Sequence, residues 1–287
     1  MKRTHLNGLL LLAVAGLGAA VWFSREQVEP VEPLTPLTEA AITRLEVAHT
    51  GKPSIRLERE GEGPWQLVAP VQARADNLEV NGILSVASLP VKRAVDASVD
   101  RAVVGLAPPR YTVTLNDRTL AFGGMEPLAF QRYVDTGDRV VLVDDPPSAA
   151  LDADYSDLVS KQLVAPEATL VAIETPDLTL TETDGAWQAD EHPQASADRM
   201  MAVVNGWREA QAMWNGALED DAEAPTEFVT LRFADGRQQR YGIARREPQF
   251  ELVDLERRVR HTLSRALVDT LLQLPAEAAP ADDASAG

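Results

Sequence analysis

Residues 61–84 read GEGPWQLVAPVQARADNLEVNGIL, and residues 183–207 read TDGAWQADEHPQASADRMMAVVNGW. Each stretch runs from a Gly-containing turn into a Trp-Gln pair, and then into an Ala-Asp pair followed by apolar residues three and four apart. Trp65 and Trp187 are 122 residues apart. A shared order at this long period indicates two similar domains in tandem, because solenoid repeats are much shorter.

Each copy is predicted to contain one amphipathic helix. Asp76 and Asp198, also 122 apart, stand just before the apolar pattern of their copy. We predict that both are helix N-caps, since an aspartate there accepts the first free N–H groups. The apolar face consists of Val80, Ile83, Leu84 and Ala87 in the first helix, and of Met200, Val203, Val204, Trp207 and Trp214 in the second.

Short alternating segments flank both helices and predict strands. Each copy reads as three strands, one helix and a four-strand meander with Gly and Asp turns. We therefore predict an α+β fold, in which two tandem antiparallel sheets are each covered by one helix. The first unit is expected at residues 42–165 and the second at residues 168–274.

The N-terminus combines a basic start with an apolar stretch. Residues 1–5 include Lys2 and Arg3, and residues 6–23 contain no charge. Eighteen helical residues rise about 27 Å, close to the thickness of the bilayer core. We favour an uncleaved signal anchor over a signal peptide cut after Ala20, because apolar residues continue beyond that site. Basic residues before the span place the bulk of the chain outside the cytoplasm.

A stalk and a tail are predicted on either side of the two units. Pro30, Pro33 and Pro36 recur every third residue within residues 24–41, which matches the period of polyproline II and predicts a semi-rigid stalk. Residues 275–287 are small, acidic and interrupted by proline, and we predict that they are disordered.

The composition excludes several classes of function. The chain has 287 residues, a formal net charge of −17 and no cysteine. Such an acidic chain is a poor nucleic-acid ligand, because affinity for phosphates depends on clustered Lys and Arg. The absence of cysteine excludes disulfides, thiolate metal sites and a lipidated cysteine anchor.

The sequence contains no convincing catalytic, cofactor or metal site, and we predict none. The histidines His49, His192 and His261 are scattered, without the spacing of a ligand pair. Asp152, Asp154 and Asp157 are spaced somewhat like a calcium loop, but they lack its glycine and its final glutamate. A capped helix start is the better interpretation of these aspartates.

The tryptophans are interpreted first as packing residues. Trp65 and Trp187 each follow a turn and begin a strand, where an aromatic ring seals a helix against a sheet. Trp207 and Trp214 are seven residues apart and would share one helix face. They are the best candidate for a contact surface, although core packing, which gives the same spacing, is the favoured interpretation.

Several short motifs together resemble a known bacterial family. They are Trp65–Pro70, Ala75-Asp76, Gly105–Pro109, Phe122–Gly124, Arg132–Val134 and Asp157–Lys161. Their order resembles the envelope family called domain of unknown function 4340. The resemblance implies a membrane-anchored extracytoplasmic protein encoded beside ABC transporters of the gliding-motility type, without an established enzymatic activity.

The sequence favours two classes of function. The first is a non-enzymatic accessory subunit of an ABC-type transporter, anchored by a single pass in the inner membrane and bound to the permease complex. The second is a periplasmic binding module that holds an envelope ligand between the two units, since clefts between domains are preferred ligand sites. A carboxylate-based hydrolase stays open only because 44 acidic residues always allow a chance pair.

Overall fold

The structure is a computed structural model that describes residues 12–18, 32–145 and 151–277. In these residues the chain forms two antiparallel sheets with few helices, which confirms the predicted α+β class. The α-helices with both ends described are α1 (Asn77–Leu84), α2 (Ala197–Glu209) and α3 (Leu267–Leu272). We call the first sheet with α1 the first unit, and the second sheet with α2 and α3 the second unit.

Within the described residues, the first sheet has nine strands. They are β1 (Arg44–His49), β2 (Ile55–Glu58), β3 (Gln66–Ala69), β4 (Ala73–Arg74), β5 (Val91–Ala94), β6 (Tyr111–Leu115), β7 (Arg118–Met125), β8 (Gln131–Asp135) and β9 (Val140–Asp144). Their order across the sheet is β4-β3-β2-β1-β6-β7-β8-β9-β5.

The second sheet has eight strands in the part of the chain that is described. They are β10 (Leu170–Glu174), β11 (Thr179–Thr183), β12 (Ala186–Ala189), β13 (Trp214–Ala217), β14 (Glu227–Phe233), β15 (Gln238–Arg245), β16 (Phe250–Asp254) and β17 (Val259–Leu263). Their order is β12-β11-β10-β14-β15-β16-β17-β13.

The two sheets have the same strand order apart from β4, which has no counterpart among the described residues of the second unit. Beyond β4, each contains one strand more than the seven predicted per copy, because β5 and β13 return after the helix to the far edge of the meander. These strands escaped prediction because neither has a full alternation: β5 is mostly exposed, and β13 buries only Asn215.

Each unit has its own apolar core. In the first unit, Val80, Ile83 and Leu84 of α1 are buried against core residues of the sheet. In the second, the buried residues of α2 are Met200, Val203, Val204 and Trp207. Periods of three and four residues therefore do place the apolar faces of both helices in the cores.

The second helix is shorter than its apolar pattern predicted. Helix α2 ends at Glu209, so Trp214 lies on strand β13 rather than on the helix. Helix α3, which was not predicted, packs against α2, and the indole N–H of Trp207 donates to the carbonyl of Leu271 at 2.9 Å. A side chain at Gly206 would lie 2.9 Å from the Thr270 methyl group, so this glycine allows the close approach.

The predicted stalk is shorter than residues 24–41. Leu34 and Thr35 are buried, and their N–H groups donate to the carbonyls of Leu89 and Ala87 at 2.8 and 3.0 Å. We call residues 32–35 the entry segment. The proline period was misleading here because a proline can lie at a sheet edge, where its missing N–H is not needed. Residues 36–41 are also described and end in a 3-10 turn at Glu39–Ala41, whereas residues 24–31 lie outside the described residues.

The other terminal predictions are only partly covered by the structure. Of the predicted anchor, residues 12–18 are described and are helical. No helix in the described residues is both long enough and apolar enough to cross a membrane. Of the predicted tail, residues 278–287 lie outside the described residues, whereas the carbonyl of Pro275 accepts a hydrogen bond from Arg199 at 2.6 Å.

The chain between the sheets pairs with both units. The N–H of Ser160 donates to the carbonyl of Arg74 at 2.9 Å, and Gln162 forms an antiparallel bridge with Gln211. In addition, Val259 of the second sheet is buried in the first core. The two units are therefore packed together through the linker, which we define as residues 151–168.

Candidate functional site between the two units

A cavity of about 520 Å³ lies between the two units. The first unit contributes β3 and β4, the linker contributes residues around 159–167, and the second unit contributes β15, β17 and the turn after β16. The linker brings these elements together, because Val159 bridges Ala75 next to β4 and Gln162 bridges Gln211 shortly before β13.

An arginine at the turn after β16 joins the units across this cavity. Arg257 donates from Nε to the carbonyl of Gln72 at 2.9 Å and from Nη1 to Asp254 at 2.6 Å. Asp254 is only 2% exposed and also accepts the backbone N–H of Arg257 at 2.9 Å. The buried carboxylate is thus fully engaged, which satisfies the requirement that buried charges be paired.

A histidine in the cavity wall is held in one tautomer. Asn215 donates from its amide to the carbonyl of Val159 at 2.8 Å, so its side-chain oxygen faces Nδ1 of His261 at 2.8 Å. An oxygen can only accept, and Nδ1 must therefore carry the proton, which leaves the lone pair on Nε2. Burial lowers the pKa of His261 to about 4, so the ring is neutral at ordinary pH.

Tyr241 lies beside this histidine. Its hydroxyl donates to the carbonyl of Leu163 at 3.1 Å and accepts from the amide of Gln239. Its ring stacks on Trp207 at 6.4 Å and meets His261 edge-on at 5.7 Å between centroids. Burial raises the pKa of Tyr241 above its usual range, so the phenol is neutral and serves as a fixed donor to the linker.

Other polar side chains line the cavity without such hydrogen bonds. Gln66, Gln72 and Gln162 make no side-chain hydrogen bond within residues 32–145 and 151–277. The charged pair Arg74 and Glu167 is joined at 2.9 Å. The lining therefore offers free amides, while its charges are matched by opposite charges.

The structure separates the two tryptophans of the predicted contact surface. Trp207 is 0% exposed in the second core, whereas Trp214 is 47% exposed on β13. They do not share a helix face, because α2 ends between them. Core packing, the favoured interpretation for this pair, describes Trp207, and of the two only Trp214 is available at the surface.

The tryptophans of the repeated motif differ in burial. Trp65 is 2% exposed, and the Arg59 guanidinium lies 4.8 Å from the centre of its ring. Trp187 is only partly buried against the second core. Neither residue lines the inter-unit cavity.

The two aspartates of the motif also differ. The Asp76 carboxylate accepts the N–H groups of Leu78 and Glu79 at 3.0 and 3.4 Å and caps α1. Asp198 is not a cap, because α2 begins at Ala197 and its N-cap is Ser196. The pattern placed the second cap two residues late, at an aspartate that lies in the first turn of α2.

The candidates for metal chemistry have other partners. Asp157 accepts the N–H of Asp154 at 2.8 Å, and Asp154 accepts the N–H of Ser156 at 2.8 Å. Among the described residues, no group of three His, Cys, Asp or Glu side chains could hold a metal ion. Of the three scattered histidines, the cavity contains His261 alone among its lining residues.

The residues that build the cavity were not singled out from the sequence. Asn215 pairs with His261 between β13 and β17, at the place where Arg93 pairs with Leu142 between β5 and β9. His261 thus stands where the other copy has a buried leucine, and a careful alignment of the two copies would have shown this polar residue at an apolar position. The missed strands β5 and β13 prevented that alignment.

Comparison with known proteins gives a family but no function. Residues 65–228 match the family described as Domain of unknown function (DUF4340). The match covers more than half of the chain and extends from the first unit into the second, and the chain belongs to this family. No solved structure matches the chain.

Proposed function

For this member of a family of unknown function, we propose a non-enzymatic binding module that holds a neutral polar ligand, of the saccharide type, between its two units. The observation that carries the proposal is the inter-unit cavity of about 520 Å³ with its free amides. Cavities of this size at domain interfaces are preferred ligand sites.

The lining favours a ligand that is polar but uncharged. An amide both donates and accepts, and it therefore matches the hydroxyl groups of a sugar. Gln66, Gln72 and Gln162 are available for such bonds. A charged ligand would compete with the existing pairs of Arg257 with Asp254 and of Arg74 with Glu167, and breaking the first of them is costly because the Asp254 carboxylate is buried.

The ionisable groups of the cavity support binding better than catalysis. The protonated nitrogen of His261 is bound to Asn215, and the hydroxyl of Tyr241 is bound to the linker. Both groups thereby fix the position of the linker relative to the second sheet. A rigid wall with preset donors lowers the entropic cost of binding a ligand.

Calorimetric titration of the purified full-length chain with a series of neutral oligosaccharides tests this proposal. We expect at least one sugar to bind, and the double variant Gln72→Ala/Gln162→Ala to weaken its binding at least tenfold. The matched control is Gln194→Ala/Gln238→Ala, which removes two exposed amides outside the cavity. Equal binding by both variants would exclude the cavity as the site.

A second candidate is the accessory subunit of an ABC-type transporter, held at the extracytoplasmic side by residues 6–23. The family resemblance supports it, and so does an exposed apolar turn between β7 and β8. Leu128 and Phe130 are 89% and 69% exposed there. The Glu126 carboxylate fixes the turn by accepting the N–H groups of Leu128 and Ala129 at 3.1 and 2.6 Å.

Purification from membranes separates the two candidates. The accessory role predicts that a permease co-purifies with the full chain, and that Leu128→Ser/Phe130→Ser removes the permease while the fold is retained. The binding role predicts that the same variant keeps its affinity for the sugar. Absence of any permease from the purified complex would contradict the accessory role.

A further inference from the structure

The second sheet has an open edge at the place where the first sheet is closed. In the first unit, β4 covers β3 through the pairs Gln66 with Arg74 and Leu67 with Ala73. In the second unit, β12 is the last strand, and no described residue pairs with its outer side. An uncovered edge strand is a template for pairing with another chain.

The hydrogen bonds show which groups of β12 face outwards. Asp190 donates from its N–H to the carbonyl of Thr179 at 3.2 Å, in the same register that pairs Ala189 with Leu180. Because bonded and non-bonded pairs alternate in an antiparallel ladder, the backbone groups of Trp187 and Ala189 point away from β11. The Ala189 carbonyl accepts from His192 at 3.3 Å, which leaves three groups at the edge without a partner in the described chain.

The first unit shows what fits on such an edge. Trp65 and Leu67 precede Trp187 and Ala189 by 122 residues. Trp65 and Leu67 are buried in the first core, whereas in the second unit Ala189 is buried and Trp187 is only partly buried. In the first unit, Ala75 donates to the carbonyl of Trp65 at 2.9 Å, and β4 continues the antiparallel ladder. The occupant is therefore an extended segment with small residues at the paired positions.

A groove lies beside the open edge. Its volume is about 290 Å³, and its lining includes Trp187, His192, Pro193 and Met200. It exists because the chain after β12 turns away instead of returning as a strand. Glu191 holds this turn by accepting the N–H of Thr179 at 2.8 Å, and Pro193 has no N–H to offer to a ladder.

The charges around the edge indicate which kind of segment can pair with β12. Four acidic residues surround it. Glu182 lies on the neighbouring strand β11, Asp184 lies before β12, and Asp190 and Glu191 follow β12. Antiparallel pairing of this edge with a second copy would bring these carboxylates together, and like charges directly opposite are destabilising. The edge thus favours a positively charged segment.

We propose that the outer edge of β12 binds an extended, positively charged segment of a partner protein as an added antiparallel strand, with a partner side chain against Trp187. Addition of a strand to an exposed edge is a known mode of peptide recognition, in which main-chain bonds give affinity and side pockets give specificity. The site is separate from the inter-unit cavity, so the proposal does not depend on the ligand proposed there.

The probe is a synthetic peptide with the sequence of residues 71–77, carrying the change Asp76→Lys, with blocked ends and a fluorescent label. We expect it to bind the full-length chain in fluorescence anisotropy, more weakly as salt is added. Backbone N-methylation at the positions of Ala73 and Ala75 should weaken binding at least tenfold. N-methylation at Arg74, whose N–H faces away from the edge, should leave binding within twofold.

Protein variants provide the second readout. Trp187→Ala should weaken peptide binding at least fivefold, whereas Trp214→Ala, at the opposite edge of the same sheet, should leave it unchanged. No binding by the full chain, or equal effects of N-methylation at all three positions, would overturn the proposal. Binding that appears only after residues 278–287 are removed would assign the edge to the chain's own end and would overturn it as well.

Discussion

The two sheets share a strand order and differ in the chemistry of matching positions. Leu120 on β7 is paired with Val113, whereas Gln239 on β15 is paired with Leu231. The first unit is apolar at these positions because both side chains are buried in the core of that unit. The second unit is polar where the linker crosses it, since each buried carbonyl of the linker needs a donor.

The same contrast holds at the edges of the sheets. The first sheet is closed by β4 on one side and by the entry segment beside β5 on the other. In the second sheet, no strand of the described chain pairs with the outer side of β12. The two units therefore share a topology but differ in how their sheet edges are covered, and variants at matching positions should respond differently.

The largest effect is expected from the two motif tryptophans. Trp65→Ala should lower the free energy of unfolding by about 4 kcal/mol, because a fully buried aromatic ring leaves a cavity. Trp187→Ala should cost about 1 kcal/mol, since that side chain is only partly buried. Urea unfolding of both variants measures the difference. Similar losses would mean that β12 is covered in solution as β3 is.

The buried histidine should make stability depend on pH. His261 has an ordinary pKa of 6.5 in the unfolded chain and about 4 in the folded protein. At a pH between these two pKa values, the unfolded state therefore binds one more proton than the folded state. The folded state loses stability as the pH falls through this window.

The loss assigned to His261 is about 1.4 kcal/mol per pH unit, or about 3 kcal/mol over the whole window. Carboxylates titrate in the same range, so the measurement compares the wild type with His261→Gln, which keeps a donor for Asn215. We expect unfolding curves from pH 7 to pH 4 to show the shallower dependence in the variant. Parallel curves would place His261 in solvent.

A medium effect is expected when the polar pair of Asn215 and His261 is made apolar. Asn215→Val leaves the Val159 carbonyl and the Nδ1–H of His261 without partners, at a cost of about 2 kcal/mol. The double variant Asn215→Val/His261→Val should cost less than the sum of the two single changes, because both members of the pair become apolar. Strict additivity would show that the pair is not coupled.

The smallest effect distinguishes the two motif aspartates. Asp76→Ala should cost about 1 kcal/mol through loss of the cap on α1. Asp198→Ala should cost no more than about 0.5 kcal/mol, since an exposed carboxylate in the first turn of α2 interacts only with the helix dipole. Thermal unfolding of both variants measures this. A larger loss from Asp198 would mean that α2 starts later in solution.

Local patterns predicted the fold class and, apart from Trp214, the apolar helix faces correctly. The alternation in residues such as Thr112 to Leu115 and the three-four period of α1 are local and survive in the tertiary structure. The strands β4, β5 and β13 were missed because pairing, rather than apolar content, holds them in place. Strand β4 has two residues and exists only because β3 and Ser160 bond it from both sides.

The inter-unit site could not be predicted for a related reason. The positions of its side chains depend on partners that are distant in sequence. Asn215 bonds to a linker carbonyl and in turn orients His261, and Arg257 bonds to a carbonyl of the first unit. Main-chain partners leave no trace in side-chain identity, so no motif marks them. The comparison of the two copies was the available signal, and it required the correct strand register.

The entry segment also determines how the first unit responds to mechanical force. Leu34 and Thr35 donate to Leu89 and Ala87, and Val91 donates to the carbonyl of Glu32, all across one antiparallel contact. Because these bonds run perpendicular to the strand, tension along the segment loads all three together, whereas a sideways pull breaks them one at a time from Glu32 inwards. Any pull on the chain before residue 32 is therefore resisted strongly in one direction and weakly in another.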